Sequence, residues 1–412
     1  MPRLWTTLLS ATAAATATTA LVPASAGTRP LPDHAAGHPA PAWTIQASQN
    51  PASSHVAELS AVACGTPGDC WAVGDYETST GQLTLAEHWN GRTWAIVATP
   101  NAPEAKDSLL SGVSCAGPSW CTAVGYQVIT KPNYVVSHVL IEAWNGTRWA
   151  IQRSPGPSHN PSSVGLTSVS CTAPDSCTAV GGFTRTSLSA QSQPLAEHWN
   201  GSVWSIQPVP NPQAENGSEL DGVSCTAGDA CTAGGNYFYA DIAASVFAER
   251  WDGTAWVMQQ QPNSRGQDFN IDSAVSCTST TVCVSAGLLT NGGNVSEPLA
   301  EAWNGTSWRL LHARDPRGSV GGASFSGLSC ATSTSCVAVG DWSATTTGGL
   351  SDVTLAERWN GTAWAVQPTP NPTGAQSSSL ASVYCPTARM CVAVGSSFAG
   401  TATQTLAEHY SG

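Results

Sequence analysis

From about residue 42 onward, the apolar residues of this chain fall in short runs of strand length with polar punctuation between them. One unit shows the pattern: Leu59-Ser-Ala-Val-Ala-Cys64, Cys70-Trp-Ala-Val-Gly74, Leu85-Ala-Glu-His-Trp89 and Trp94-Ala-Ile-Val97. Gly, Pro, Asn and Ser fill the gaps, as expected between β-strands. No stretch keeps apolar residues at helical spacing. The unit recurs. Its paired cysteines, Cys64/Cys70, Cys115/Cys121, Cys171/Cys177, Cys225/Cys231, Cys277/Cys283, Cys330/Cys336 and Cys385/Cys391, follow one another at intervals of 51, 56, 54, 52, 53 and 55 residues. A period of this size means a repeat architecture. Four antiparallel strands repeated around a ring predict an all-β fold, a seven-bladed β-propeller.

The two ends of the chain support that reading. The last unit stops at Leu406-Ala-Glu-His-Tyr410-Ser-Gly412, with a third strand and no fourth. An orphan fourth strand, Ala42-Trp43-Thr-Ile-Gln46, stands before the first whole unit and matches Ala363-Trp364-Ala-Val-Gln367 of unit six. The N-terminal strand is therefore expected to complete the last blade and remove an exposed edge. One propeller then spans residues 42–412. The strand that ends in the first Cys is innermost, and the strand that begins at the second Trp is outermost.

The third strand carries the signature. It reads Leu-Ala-Glu-His-Trp-Asn-Gly in units one and three, with variants elsewhere. Alternation puts Leu85, Glu87 and Trp89 on one face, and across the Asn90-Gly91 turn Trp94 and Ile96 are expected on that same face. A Glu thus sits among large apolar groups in every unit: Glu87, Glu142, Glu197, Glu249, Glu301, Glu357 and Glu408. Because an unpaired buried charge is costly, each is expected to accept from a Trp indole or a backbone N–H. A residue present in every unit reads as scaffold, since a catalytic site needs an asymmetric constellation. Thirteen of the seventeen tryptophans are likewise repeat positions. They read as blade core, with sugar platforms between blades as the alternative.

The first residues alter the setting. Arg3, an apolar Ala-rich stretch from Leu4 to Val22 and the small-x-small site Ala24-Ser25-Ala26 read as a secretory signal over residues 1–26, followed by a Pro/Gly/Ala-rich linker over 27–41. No later segment is continuously apolar over the length of a membrane span. An even number of regularly spaced cysteines in an exported chain reads as seven disulfides. Zinc would need four ligands gathered at one point. The net charge of -12, with only 10% charged residues, argues against nucleic acid.

Function is expected where the repeat breaks. The links between units and the hairpins between second and third strands vary, and they share one rim, while Cys loops and Asn-Gly turns occupy the other. Loops on a rigid frame carry function. The candidate ligand-binding residues are Asp75, Asp221, Tyr237, Tyr239, Asp241, Asp268, Asp272, Asp341 and Trp342, with Tyr134, Arg314 and Arg317 as further non-repeating groups on that rim. Asp221 and Asp272 are the only charged residues of the inner strands. With Asp241 and Asp268 they could form an acidic patch, a carboxylate pair for glycoside chemistry or a calcium site. The plain alternative is two solvated channel aspartates. No catalytic residue and no cofactor is expected, with a calcium ion as the alternative.

The unit L-A-E-H-W-N-G-x-x-W-x-x-Q-x-x-P-N-P followed by L-x-x-V-S-C-x5-C-x-A-V-G resembles the WNG repeats of secreted proteins from actinobacteria, the high-GC Gram-positive bacteria. The resemblance covers residues 42–412 and implies an exported propeller, with no particular activity. The expected function is that of an extracellular, monomeric, non-catalytic binding module for a glycan, cell-wall polymer or protein. The alternative is a polysaccharide hydrolase or lyase using rim carboxylates.

Overall fold

The four-strand unit is built by short hairpins, each with its own local cause. In the computed structural model, residues 41–412 are described except 53, 132–133, 158–160, 186–190, 213–216, 241–242, 263–268, 292–294 and 347–348. The expected signal peptide, residues 27–40 of the linker, Asp241 and Asp268 lie outside the described residues. Tyr134, Tyr239 and Asp272 are described in their backbone alone.

All regular structure among the described residues is β. In the first whole unit the strands are Ala57–Thr66, Asp69–Thr78, Gly81–Trp89 and Trp94–Ile96, hydrogen-bonded in that order. The same antiparallel meander recurs along the chain. Four sheets hold four strands each. A fifth holds twelve, its meanders joined by single parallel bridges at Ala244↔Phe269 and Ser296↔Gly322. No sheet closes on itself. The N-terminal strand Ala42–Gln46 pairs antiparallel with Ala402–Ser411, so the first and last described strands share a sheet.

The first strands pack side by side. In chain order they are Ala57–Thr66, Asp107–Cys115, Ser163–Ala173, Ser218–Ala227, Phe269–Ser279, Ser319–Thr332 and Ser377–Thr387. Each neighbours the next, and Ala57–Thr66 neighbours Ser377–Thr387. A serine ladder links them. The backbone N–H of Cys171, Cys225, Cys277, Cys330 and Cys385 donates to the hydroxyl of Ser114, Ser170, Ser224, Ser276 and Ser329 on the preceding first strand, at 2.9–3.0 Å. Ala63 and Tyr384 take the serine position in the remaining two units, so the ladder is interrupted where the chain's ends meet.

All seven expected cystines form, each within one unit: Cys64–Cys70, Cys115–Cys121, Cys171–Cys177, Cys225–Cys231, Cys277–Cys283, Cys330–Cys336 and Cys385–Cys391. In the first six units the two cysteines are directly opposed across the first hairpin. In the last, Cys385 and Cys391 lie inside a register shift that interrupts the pairing between Tyr384 and Thr387. In five of the seven bridges the two ends are not equivalent. The second-strand members, Cys70, Cys121, Cys177, Cys231, Cys283, Cys336 and Cys391, are all buried in the unit core, whereas Cys115, Cys171, Cys225, Cys277 and Cys330 are only partly covered. The bridges therefore belong to the frame, and no cysteine lines any cleft described below. A loop this short contributes about 2 kcal/mol per bridge on the loop-entropy account.

The Asn-Gly turn is longer than a two-residue hairpin loop. Four residues, 90–93, separate Trp89 from Trp94, and the Asn90 side-chain oxygen accepts from the N–H groups of Arg92 and Thr93, both at 3.0 Å. Gly91 supplies the left-handed conformation, φ 87°.

Trp94 is buried as expected, but Ile96 is 38% exposed. The same fourth-strand position is exposed at Ile45, Ile151, Ile206, Met258, Leu310 and Val366. Alternation correctly gives the parity of the strand. It cannot tell that an outermost strand has no further strand to cover it.

The repeated Glu residues are all fully buried. Glu87 accepts from the backbone N–H of Gln49 at 3.1 Å, Glu357 from that of Arg314 at 3.4 Å, and Glu197 from the Ser154 hydroxyl at 2.8 Å. Each donor lies just past the fourth strand of the preceding unit, so these three Glu residues clamp the outgoing link, whereas the buried carboxyl oxygens of Glu142, Glu249 and Glu408 have no partner, against the expectation of one in every unit. The indoles turn elsewhere, to the Gln that ends the preceding fourth strand: Trp43 to Gln367, Trp204 to Gln152, Trp256 to Gln207 and Trp308 to Gln259, at 2.8–3.1 Å. Where that Gln is replaced by Val97 or Leu311, the indoles of Trp149 and Trp364 have no partner.

Candidate functional site

One glycine organises the rim. Gly74, Gly125, Gly181, Gly235, Gly287, Gly340 and Gly395 hold the same place in every second strand. A β-carbon on Gly74 would lie 2.0 Å from the Glu58 carbonyl oxygen, and Gly125, Gly181, Gly235, Gly340 and Gly395 are equally crowded by their own first strands. The close approach accompanies a register shift, a β-bulge, in every first strand, between Leu59 and Ala61 in the first unit and at the matching place in the others.

The bulge decides which side chains face the centre. The bulged residues are Ser60, Ser111, Thr167, Asp221, Ser273, Ser326 and Ala381, and they line one central cavity of about 240 Å³. Asp221 is thus the charged member of a hydroxyl-rich ring. It accepts from the Asn236 side-chain amide at 2.6 Å. Asp272 stands one residue earlier in its strand, opposite Gly287, in the register position that Leu59, Leu110, Leu166, Leu220, Phe325 and Leu380 hold elsewhere. The two aspartates that looked like neighbours in one channel therefore occupy non-equivalent positions.

Directly after the shared glycine comes a position that differs almost everywhere: Asp75, Tyr126, Gly182, Asn236, Leu288, Asp341 and Ser396. Its cross-strand partner varies as much: Glu58, Leu109, Gly165, Glu219, Ile271, Ser324 and Ser379. These two positions per unit form a variable band above the central cavity. Asp75 and Asp341 belong to it. Glu58, Tyr126 and Glu219 belong to it as well and were missed from sequence, although their spacing from the invariant glycine marks them.

Two clefts open on the band. The first, about 460 Å³, lies where the second, third and fourth units meet and is lined by Tyr126, Phe183, Glu219, Val128, Val135 and the hydroxyls of Ser137, Ser162, Ser163, Thr167, Thr184 and Ser192. Its floor is made by small residues. A β-carbon on Gly165 would meet the Tyr126 ring at 3.3 Å, and one on Gly182 would meet Glu219 Cβ at 3.1 Å. Burial raises the Glu219 carboxyl above its ordinary pKa, and burial, with Asp75 and Asp107 nearby, raises the Tyr126 phenol. The Arg185 guanidinium lies 5.8 Å from the centre of the Phe183 ring.

The second cleft, about 330 Å³, is lined by Glu58, Asp341, Asp352, residues 377–379, Ser396, Phe398 and Thr403. Burial, with Asp352 adding repulsion, pushes the Asp341 carboxyl up to about 6. Asp75 is buried behind Glu58, receives the Gln82 amide at 3.3 Å and is likewise pushed to about 6 by burial, then by Glu58 and Glu77.

The other expected residues fall elsewhere. Trp342 packs half-buried against the core around Phe325. Tyr237 stacks edge-on against Phe247, centroids 6.2 Å apart, at a cavity of about 570 Å³ beside Asn211 and Met258. Arg314 and Arg317 are exposed on the link after the strand Trp308–His312. Among the described residues no three His, Cys, Asp or Glu side chains gather as a metal site would need. Among those residues, too, no helix is long and apolar enough to cross a membrane. The seven disulfides fit an oxidising, extracellular environment.

No protein-family model matches the chain, and no curated protein matches it. Solved structures do. The fold is similar to that of an ulvan lyase of the polysaccharide lyase family PL25, with a TM-score of 0.52 at 8% identity over 82% of this chain and 89% of that one. An α-L-arabinofuranosidase from Fusarium graminearum gives 0.42 at 10% identity, over 76% and 95%. The SapL1 lectin in complex with α-methyl fucoside gives 0.41 at 18%, over 63% and 80%. At these identities the likeness is one of fold, and that fold is propeller-like.

Proposed function

We propose that the chain is a secreted seven-bladed β-propeller, of the kind its WNG repeats resemble, that binds a glycan through the variable rim and performs no chemistry on it. The seven repeats, the side-by-side first strands and the sheet shared by both ends support the blade count. The observation that carries the binding reading is the cleft of Tyr126, Phe183 and Glu219. Two aromatic faces, a row of hydroxyls and one carboxylate on a rigid glycine floor match a sugar, which presents an apolar C–H face edged by hydroxyl groups. The polysaccharide lyase of similar fold makes a glycan the first ligand to try.

The test is retention of the exported chain on a panel of soluble and insoluble polysaccharides, with released sugars assayed alongside. Retention without release, weakened about tenfold or more by Tyr126→Ala, is expected. Retention unchanged by Tyr126→Ala and Glu219→Gln would remove the cleft from the reading.

A second reading, polysaccharide cleavage, draws on the carboxyls of Asp75 and Asp341. A carboxylic acid titrating near 6 is poised to give and take protons around neutral pH. Release of sugars abolished by Asp341→Asn would establish it in place of the first.

A further inference from the structure

The acidic cleft differs in chemistry from the aromatic one. Glu58, Asp341 and Asp352 bring three carboxyl groups to its walls, and no Lys, Arg or His lines it. Asp352 receives the Ser343 hydroxyl at 2.7 Å. Ser378, also in the lining, is only 3% exposed, and its hydroxyl has no hydrogen-bond partner. A buried hydroxyl left without a partner inside a cavity is a group awaiting a ligand atom, because orphaned polar atoms are costly. Phe398, 38% exposed, adds an apolar face at the same cleft.

What fits is constrained by spacing. The carboxyls do not converge as ligands of one metal ion must. They are distributed around a cavity of about 330 Å³, large enough for one sugar ring. Dispersed anions, serine hydroxyls and one aromatic face are complementary to a molecule with an ammonium group, several hydroxyls and an apolar ring face. We propose that this cleft binds a hexosamine residue carrying a free protonated amine, as found in a de-N-acetylated polysaccharide. The ammonium group donates to Asp341 and its neighbours, a ring hydroxyl pairs with Ser378, and the C–H face lies on Phe398. The net charge of -12 favours approach of a polycation, and the three carboxyls localise that attraction at this cleft. The site is separate from the Tyr126 cleft, so it stands or falls independently of the function proposed there.

Calorimetric titration with a glucosamine oligomer and with its N-acetylated counterpart, each with and without calcium, tests the assignment. Expected are binding of the amine oligomer, about tenfold or more weaker binding of the acetylated one, and about tenfold losses for Asp341→Asn and Ser378→Ala. Tyr126→Ala should leave this binding unchanged. Thermal melting of each variant separates loss of the site from loss of the fold, and Asp352→Asn supplies a second neutral isostere if one variant fails to fold. Equal affinity for both oligomers, no binding of the amine oligomer, or its displacement by millimolar calcium at constant ionic strength would overturn the proposal.

Discussion

The indole N–H of Trp256 donates to the side-chain oxygen of Gln207, 3.0 Å away, and the two belong to successive repeats. Both are buried. The bond ties the outermost strand of one unit to that of the next, strands that pair through their backbones only within their own units. Gln207→Leu should lower the melting temperature, at a cost of about 1–2 kcal/mol, because it strands a buried donor. A thermal melt unchanged by that substitution would show the bond to be dispensable. Trp149 and Trp364 already lack such an acceptor, so Val97→Gln should leave stability intact or increase it.

The buried glutamates set a pH dependence. Burial pushes Glu142, Glu249 and Glu408 up to about 8. Glu87, Glu197 and Glu357, which accept hydrogen bonds, are pushed to about 7. The folded chain therefore keeps protons that the unfolded chain releases near 4.5. Stability from these groups is full below that value and is lost as pH rises through the folded values. The melting temperature should fall between about pH 5 and pH 8. Glu142→Gln, neutral throughout, should make that fall shallower; an identical slope in the variant would refute the assignment.

The shared glycine admits no side chain. Gly181→Ala would drive a β-carbon to 2.1 Å from the Gly165 carbonyl oxygen, which is backbone and cannot swing aside. It should cost several kcal/mol or abolish folding, as severe overpacking does. Gly68→Ala, with open space around it, is the control and should melt like the unaltered chain.

The floor of the aromatic cleft is more forgiving. In Gly165→Ala the nearest atoms to the new β-carbon belong to Tyr126, the ring at 3.3 Å. It should shift the ring, leave the melting temperature within a few degrees, and weaken glycan retention. Retention equal to that of the unaltered chain would show that the ring position does not matter for the ligand.

Much of this architecture is determined by sequence alone, because its interactions are local or repeated. Strand pairing within each whole unit runs between neighbours in the chain, each cystine closes a hairpin across a separation of six residues, and Ala42–Gln46, which pairs with the far end of the chain, was recognisable as the missing fourth strand by matching other units. Side-chain alternation also located the buried Glu and Trp. Tertiary structure decided the rest. A bulge in each first strand resets the alternation, sending Asp221 to the central cavity and leaving Asp272 at a leucine position. Equal spacing in the sequence also hid the unequal burial of the two cysteines in five of the seven bridges: Cys121, for example, is enclosed where the first and second units pack, and Cys115 is only partly covered. Whether an apolar fourth-strand residue is covered depends on what lies beyond the outermost strand, and for Ile96 nothing does enough. Which variable residues share a cleft is set by how units pack: Glu58 of the first unit and Asp341 of the sixth line one cleft only because both units lie beside the last. A repeating pattern specifies the frame many times over, whereas a site is made once, from residues far apart in the chain that only packing brings together.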